Sequence, residues 1–111
     1  MTVRKGDAVV VEKNHTSTSI KMKVTRYTTF HVANVASVGR DGTVLGVIIP
    51  GLSGVTSVDK FRRVYTIDDE EKQEGARRLY NMVKDNGENE WPDMETMKKA
   101  IMESFMWQRV L

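Results

Sequence analysis

Along the first two thirds of the chain, apolar and polar residues alternate with a period of two in several short stretches; in the last third the period lengthens to that of a helix. Residues 4–13, RKGDAVVVEK, set a Gly-Asp turn before a valine run and predict a first strand. The polar run NHTSTS at 14–19 is rich in side chains that hydrogen-bond their own backbone, which predicts a loop. From 20 to 38 β-branched and aromatic residues dominate, with period-two segments at Ile20, Met22, Val24 and again at Phe30, Val32. Val35 is out of step with Val32, so a β-bulge, or a break near Thr28 or Ala33, is expected to divide this stretch into two strands.

Within residues 35–51 the tripeptide Arg40-Asp41-Gly42 separates two apolar runs, and Asp-Gly readily forms a tight turn, so a hairpin is predicted with Arg40 at its tip and a second strand over 43–49. GLSGVTS then reads as a small-residue connection. FRRVYTI, at 61–67, alternates once more and predicts the last strand.

At Asp68 the pattern changes. Asp68 is a plausible N-cap with Glu71 three residues on, and the acids of 68–71 lie where a helix dipole favours negative charge. Ala76, Leu79, Tyr80 and Val83 form one helical stripe, and Gly87 supplies a stop. A second helix should begin around Pro92-Asp93. It places Met94, Met97, Ile101 and Phe105 on one face, which Met102, Met106 and Trp107 widen. About five antiparallel strands followed by two helices predict an α+β fold: a small β-barrel over 1–67 with a helical extension over 68–111 packed on it, in one domain spanning 1–111.

Composition narrows the function classes. The 111 residues include 40% hydrophobic and 29% charged side chains, values ordinary for a globular chain. Cys is absent, which removes disulfides, zinc-thiolate sites, iron-sulfur clusters and a Cys nucleophile. No apolar run approaches the roughly 20 residues of a membrane span, and the first eleven residues lack a signal-peptide core, so a cytoplasmic protein without membrane contact is expected. The net charge of +2 hides an asymmetry. Residues 1–67 carry ten basic and four acidic side chains, whereas 68–111 carry seven basic and eleven acidic. Such a split fits a polyanion-binding face, or two surfaces that attract each other when the halves pack.

The first 67 residues resemble an SH3-like small barrel of the kind that includes the KOW modules of ribosomal and transcription proteins. The residues that carry the likeness are Lys5-Gly6-Asp7 before the first strand, Val35-Ala36-Ser37-Val38 entering the hairpin, Arg40-Asp41-Gly42 at its tip and Val44 leaving it. The pattern from Tyr27 through Val44 also resembles uncharacterised small proteins of bacteriophages infecting actinobacteria. The resemblance implies a binding module and no assigned activity.

Catalytic patterns fail at spacing. His15 and His31 are the only histidines and each is alone in the sequence, with no HxH or HxxxH spacing for a metal. GLSGV lacks the strand-turn-helix setting of a nucleophile elbow, and no Gly-Lys-Ser/Thr follows to make a phosphate loop. The acids at 68–71 are explained by the helix start. A non-enzymatic protein with no cofactor, no metal and no small-molecule substrate is expected. Two binding surfaces remain. Lys21, Lys23, Arg26, Arg40, Arg62 and Arg63 are candidates for nucleic-acid contact, with Lys21 and Lys23 turned outward while Met22 and Val24 enter the core. Trp91, Met102, Met106 and Trp107 are candidates for a protein partner or self-association, because Met and Trp suit an adaptable apolar contact.

Overall fold

The computed structural model describes residues 3–110, apart from the side chains of residues 86 and 107–110. Five strands run β1 (Ala8–Thr18), β2 (Val24–Val38), β3 (Val44–Ile48), β4 (Thr56–Ser57) and β5 (Arg63–Thr66), followed by helices α1 (Glu70–Asn86) and α2 (Met94–Val110). All pairings are antiparallel, in the order β4-β3-β2-β1-β5. The fold is therefore α+β as expected, but the sheet stays open, with β4 and β5 at its edges, and the expected closure into a barrel is not seen.

Closure is unnecessary because both faces are covered in other ways. Antiparallel partners share a face, so the register Val10↔Val32 and Val9↔Ala33 assigns alternate residues of β1 and β2 to opposite sides. Ala8, Val10, Phe30 and Val32 meet α1 through Ala76, Leu79, Tyr80 and Val83, and α2 through Met97 and Ile101. Val9, Val11, Ala33 and Val35 meet Val44, Val47 and Ile49 of the second hairpin, with Val58, Phe61 and Val64 folded over them. Burial on both sides explains why the valine run of β1 does not alternate. It also corrects the reading of β2: Val32 and Val35 are out of step because each faces a different core, and β2 is one strand of 15 residues. The irregularity lies further on, where the register with β3 shifts between Val35, Ser37 and Val38.

Two amide side chains finish ladders that the strands leave incomplete. Gln73 of α1 accepts from the Ala8 N–H (2.5 Å) and donates to the carbonyls of Ala8 (3.2 Å) and Ile67 (3.1 Å), at the point where pairing with β5 has ended. Asn89, between the helices, accepts from the Val32 N–H (2.9 Å) and donates to its carbonyl (3.1 Å), while Trp91 exchanges two backbone bonds with Phe30. The free edge of β2 is thus protected before its pairing with β3 begins at Asn34.

The helix boundaries agree with the sequence within a residue. Asp69, in place of the expected Asp68, caps α1 by accepting from the Glu71 and Lys72 N–H groups, and Gly87 ends it at φ 81°. Asp93 accepts from the Thr96 N–H at 2.7 Å at the start of α2. The helices cross closely at Gly75, where an added Cβ would stand 2.3 Å from the Ile101 carbonyl oxygen.

Candidate nucleic-acid interface

Pairing with β5 stops at Glu12 and pairing with β3 starts at Asn34, yet β1 and β2 stay paired with each other out to Thr18↔Val24. Beyond the Lys13↔Thr29 pair they form a two-stranded arm about 20 Å long. The arm stretches the molecule to 49 Å and its radius of gyration to 14.8 Å, against about 13 Å for a compact chain of this length. The predicted loop at 14–19 is strand as far as Thr18. Thr, Ser and His are acceptable in a strand that has no buried face, and a wholly exposed ribbon lacks the apolar alternation by which strands are recognised.

The turn of the arm occupies residues 19–23. Met22 N–H donates to Ser19 O (2.9 Å), Ser19 N–H donates to Lys23 O (3.0 Å), and Lys23 N–H donates to Ser19 Oγ (3.2 Å). Met22 has φ 60°, a left-handed conformation that costs a residue bearing a Cβ about 1–2 kcal/mol. Glycine would relieve that strain but remove the Met22 side chain from the tip. The side chains of Ile20 and Met22 are exposed, 103% and 82%, and Val24 also faces solvent. The expectation that Met22 and Val24 enter a core is therefore overturned, because among the described residues no other strand pairs with the ribbon this far out. Residues 13–28 carry Lys13, Lys21, Lys23 and Arg26 and not one carboxylate, among six Ser or Thr hydroxyls.

The six basic residues expected to act together are distributed along the molecule. Lys21 and Lys23 lie in the tip and Arg26 on β2 opposite Thr16. Arg62 and Arg63 stand at the root of the arm, where Arg63 pairs with Glu12. Arg62 Nε lies 3.2 Å from Glu12 Oε2, and Tyr65 donates to the other oxygen of that buried carboxylate at 2.8 Å. Arg40 is at the opposite end of β2, which at 15 residues extends about 50 Å if straight. Its turn closes through the Gly42 N–H on Gly39 O (3.1 Å), with Gly42 at φ 85° and Asp41 Oδ1 accepting from the Thr43 N–H (3.1 Å). That bonding to Thr43 holds the Asp41 carboxyl below its ordinary value.

The fold joins what the sequence kept apart. His15 and His31, alone along the chain, both place Nε2 on the hydroxyl of Thr29, at 2.6 and 2.8 Å, with ring centroids 6.4 Å apart. Tyr27 stacks on His15 at 4.8 Å. Thr29 can donate only one hydrogen but accept two, so when both rings are neutral at least one Nε2 carries the proton and donates to the hydroxyl. Burial holds the His31 pKa below 6.5, opposed by a hydrogen bond to the Asn89 backbone and by the charge of Glu90. Beside His31 a cavity of about 380 Å³ opens between Lys13, Lys60, Phe61, Ile49, Leu52 and Thr56. Lys13, Lys60 and the histidine pair were not singled out from the sequence. Placing the turn at 19–23 would have set His15 opposite Tyr27 and Lys13 opposite Thr29 by antiparallel register alone.

On the helical side, Trp91 is partly buried against the core and its backbone is committed to Phe30. Met97 and Ile101 are buried, whereas Met102 and Met106 are exposed, 40% and 57%. The Trp107 side chain lies outside the described residues. Met102 also borders a groove of about 670 Å³ between α2 and the β5 edge, with Tyr65, Ile67 and Lys98 among its walls. Among the described residues no three His, Asp or Glu side chains gather as metal ligands, and no helix is long and apolar enough to cross a membrane. No protein-family model, curated protein or solved structure matches the chain.

Proposed function

We propose that the chain is a non-catalytic nucleic-acid-binding protein and that the β1–β2 arm is the element that touches the nucleic acid. The observation that carries this reading is the arm itself: a ribbon outside the core with three cations beyond Lys13 at its root, no carboxylate, many hydroxyls and Ile20 and Met22 exposed at its tip. Lysine, arginine and hydroxyl groups bind phosphates, and a two-stranded ribbon fits the major groove of B-DNA, about 12 Å wide. Ile20 and Met22 are of the kind that other proteins wedge between base steps. No base-reading constellation accompanies them, so binding is weak in sequence preference.

The test is an anisotropy titration of the whole chain on single- and double-stranded DNA and RNA across a series of salt concentrations. Affinity should fall with salt, and Lys21→Ala, Lys23→Ala and Arg26→Ala should each flatten the log-log slope by about one unit. Arg40→Ala, at the far end of β2, should leave it unchanged. Binding that ignores the three arm substitutions removes the proposal. The second reading, a protein partner seated on α2, is favoured by the exposed Met102 and Met106 beside the groove. A Met102→Ser, Met106→Ser chain that lost self-association in light scattering while keeping nucleic-acid binding would support it.

A further inference from the structure

On the reading proposed above the arm meets phosphates and base steps without enclosing a base, whereas the cavity at its root sets two lysines beside an apolar wall. We infer that the space bounded by Lys13, Lys60, His31 and Phe61 is a nucleotide pocket, with the phosphate on the two lysines and the base against Ile49, Leu52 and Phe61. The inference rests on the nucleic-acid reading only for the source of the nucleotide, and it departs from the sequence expectation that no small molecule binds.

Three features carry it. The volume, about 380 Å³, lies in the range of small-ligand sites, which begins near 300 Å³. Among the described residues two lysines line the cavity and no carboxylate does, so the charge selects an anion; Glu90, whose charge reaches His31, is not on its wall. Much of the remaining wall is apolar: Ile49 is a buried member of the second core, Phe61 packs on that core, and Leu52 is 59% exposed at the rim. His31 is fixed as a wall by its bond to Thr29, which His15 holds from the other side. A base paired in a duplex cannot reach an apolar recess of this kind, so the nucleotide is unpaired, either free or part of a single strand. With Thr56 and His31 the uncharged hydrogen-bonding side chains on the wall, and His31 Nε2 already engaged by Thr29, the pocket offers little to tell one base from another.

Calorimetric titration of the whole chain at low salt decides the matter, with uridine monophosphate, uridine, inorganic phosphate, oligothymidylate and a duplex of equal length as probes. The monophosphate should bind at least about tenfold more tightly than uridine or phosphate, because charge and apolar contact act together. Lys13→Ala with Lys60→Ala should weaken it by about tenfold or more without moving the melting temperature, since both side chains are exposed. Leu52→Ser should weaken the monophosphate and leave phosphate untouched. Oligothymidylate that binds tighter than the monophosphate, and loses only that excess on Lys21→Ala and Lys23→Ala, identifies a single strand laid along the arm. Equal affinity, with no response to the arm variants, identifies a free nucleotide and refutes the arm reading alone. A monophosphate that binds no tighter than phosphate, or is indifferent to the double lysine variant, overturns the pocket.

Discussion

Replacing Gly75 by alanine sets two effects of opposite sign against each other. In an isolated helix the change is favourable, since alanine exceeds glycine by about 0.8–1 kcal/mol in helix propensity. In this fold Gly75 is buried where α1 crosses α2. The new Cβ would stand 2.3 Å from the Ile101 carbonyl oxygen and 3.0 Å from the Phe105 Cβ. Ordinary carbon–oxygen contact begins near 3.2–3.4 Å, so the helices must part by about 1 Å, and the atom met first is backbone, which cannot rotate away. Separation loosens Ala76, Met97 and Ile101, all in one buried cluster. Overpacking costs about 1–3 kcal/mol, and a backbone contact this short belongs to the upper half of that range, so a loss of about 1–2 kcal/mol is left after the propensity gain. At about 4–6 °C per kcal/mol for a domain of this size, the melting temperature should drop by about 5–10 °C. Thermal unfolding followed by circular dichroism, with urea unfolding to check that the m-value is unchanged, measures it. An unchanged or raised melting temperature would mean that α1 and α2 do not cross at Gly75, and the helical layer would have to be rebuilt.

Asn89→Ala should cost about 1–3 kcal/mol by leaving the buried Val32 N–H and carbonyl unpaired, and hydrogen exchange at the Val32 amide should quicken selectively. Gln73→Leu, which abandons both Ala8 backbone groups, should cost about 2–4 kcal/mol by urea unfolding; a neutral result would show that water replaces the amide. For His31 the folded state lowers the pKa from 6.5, mainly by burial, so the unfolded chain binds the proton more readily. Its contribution is complete above about pH 6.5, declines as pH falls through the lower folded value and is flat below that. The difference in urea stability between the wild type and His31→Gln, followed from pH 7.5 to 4.5, should shrink over that window, and a constant difference would refute the sign.

Much of the fold was legible in the sequence for identifiable reasons. The helices announce themselves through local chemistry, an Asp cap at one end of α1, Gly87 at the other and a stripe between them, and local chemistry survives folding. The Asp-Gly hairpin was equally clear, since Gly42 supplies a left-handed turn residue that few others tolerate. The arm was not legible. Its strands have no buried face to impose alternation, and its turn uses Met22 in place of glycine or asparagine. Misplacing that turn hid the register, and with it the meeting of His15, Thr29 and His31. Charge was readable as a count but not as a layout: the sequence established a basic first part, and only the open sheet sent Arg40 to one end and Lys21 and Lys23 to the other. Covering of both faces was likewise a tertiary decision, because a valine run states that a strand is buried and not what buries it. Whatever depends on neighbours in sequence could be read from the chain, and whatever depends on long-range register and on which element covers which face was settled only when the strands paired.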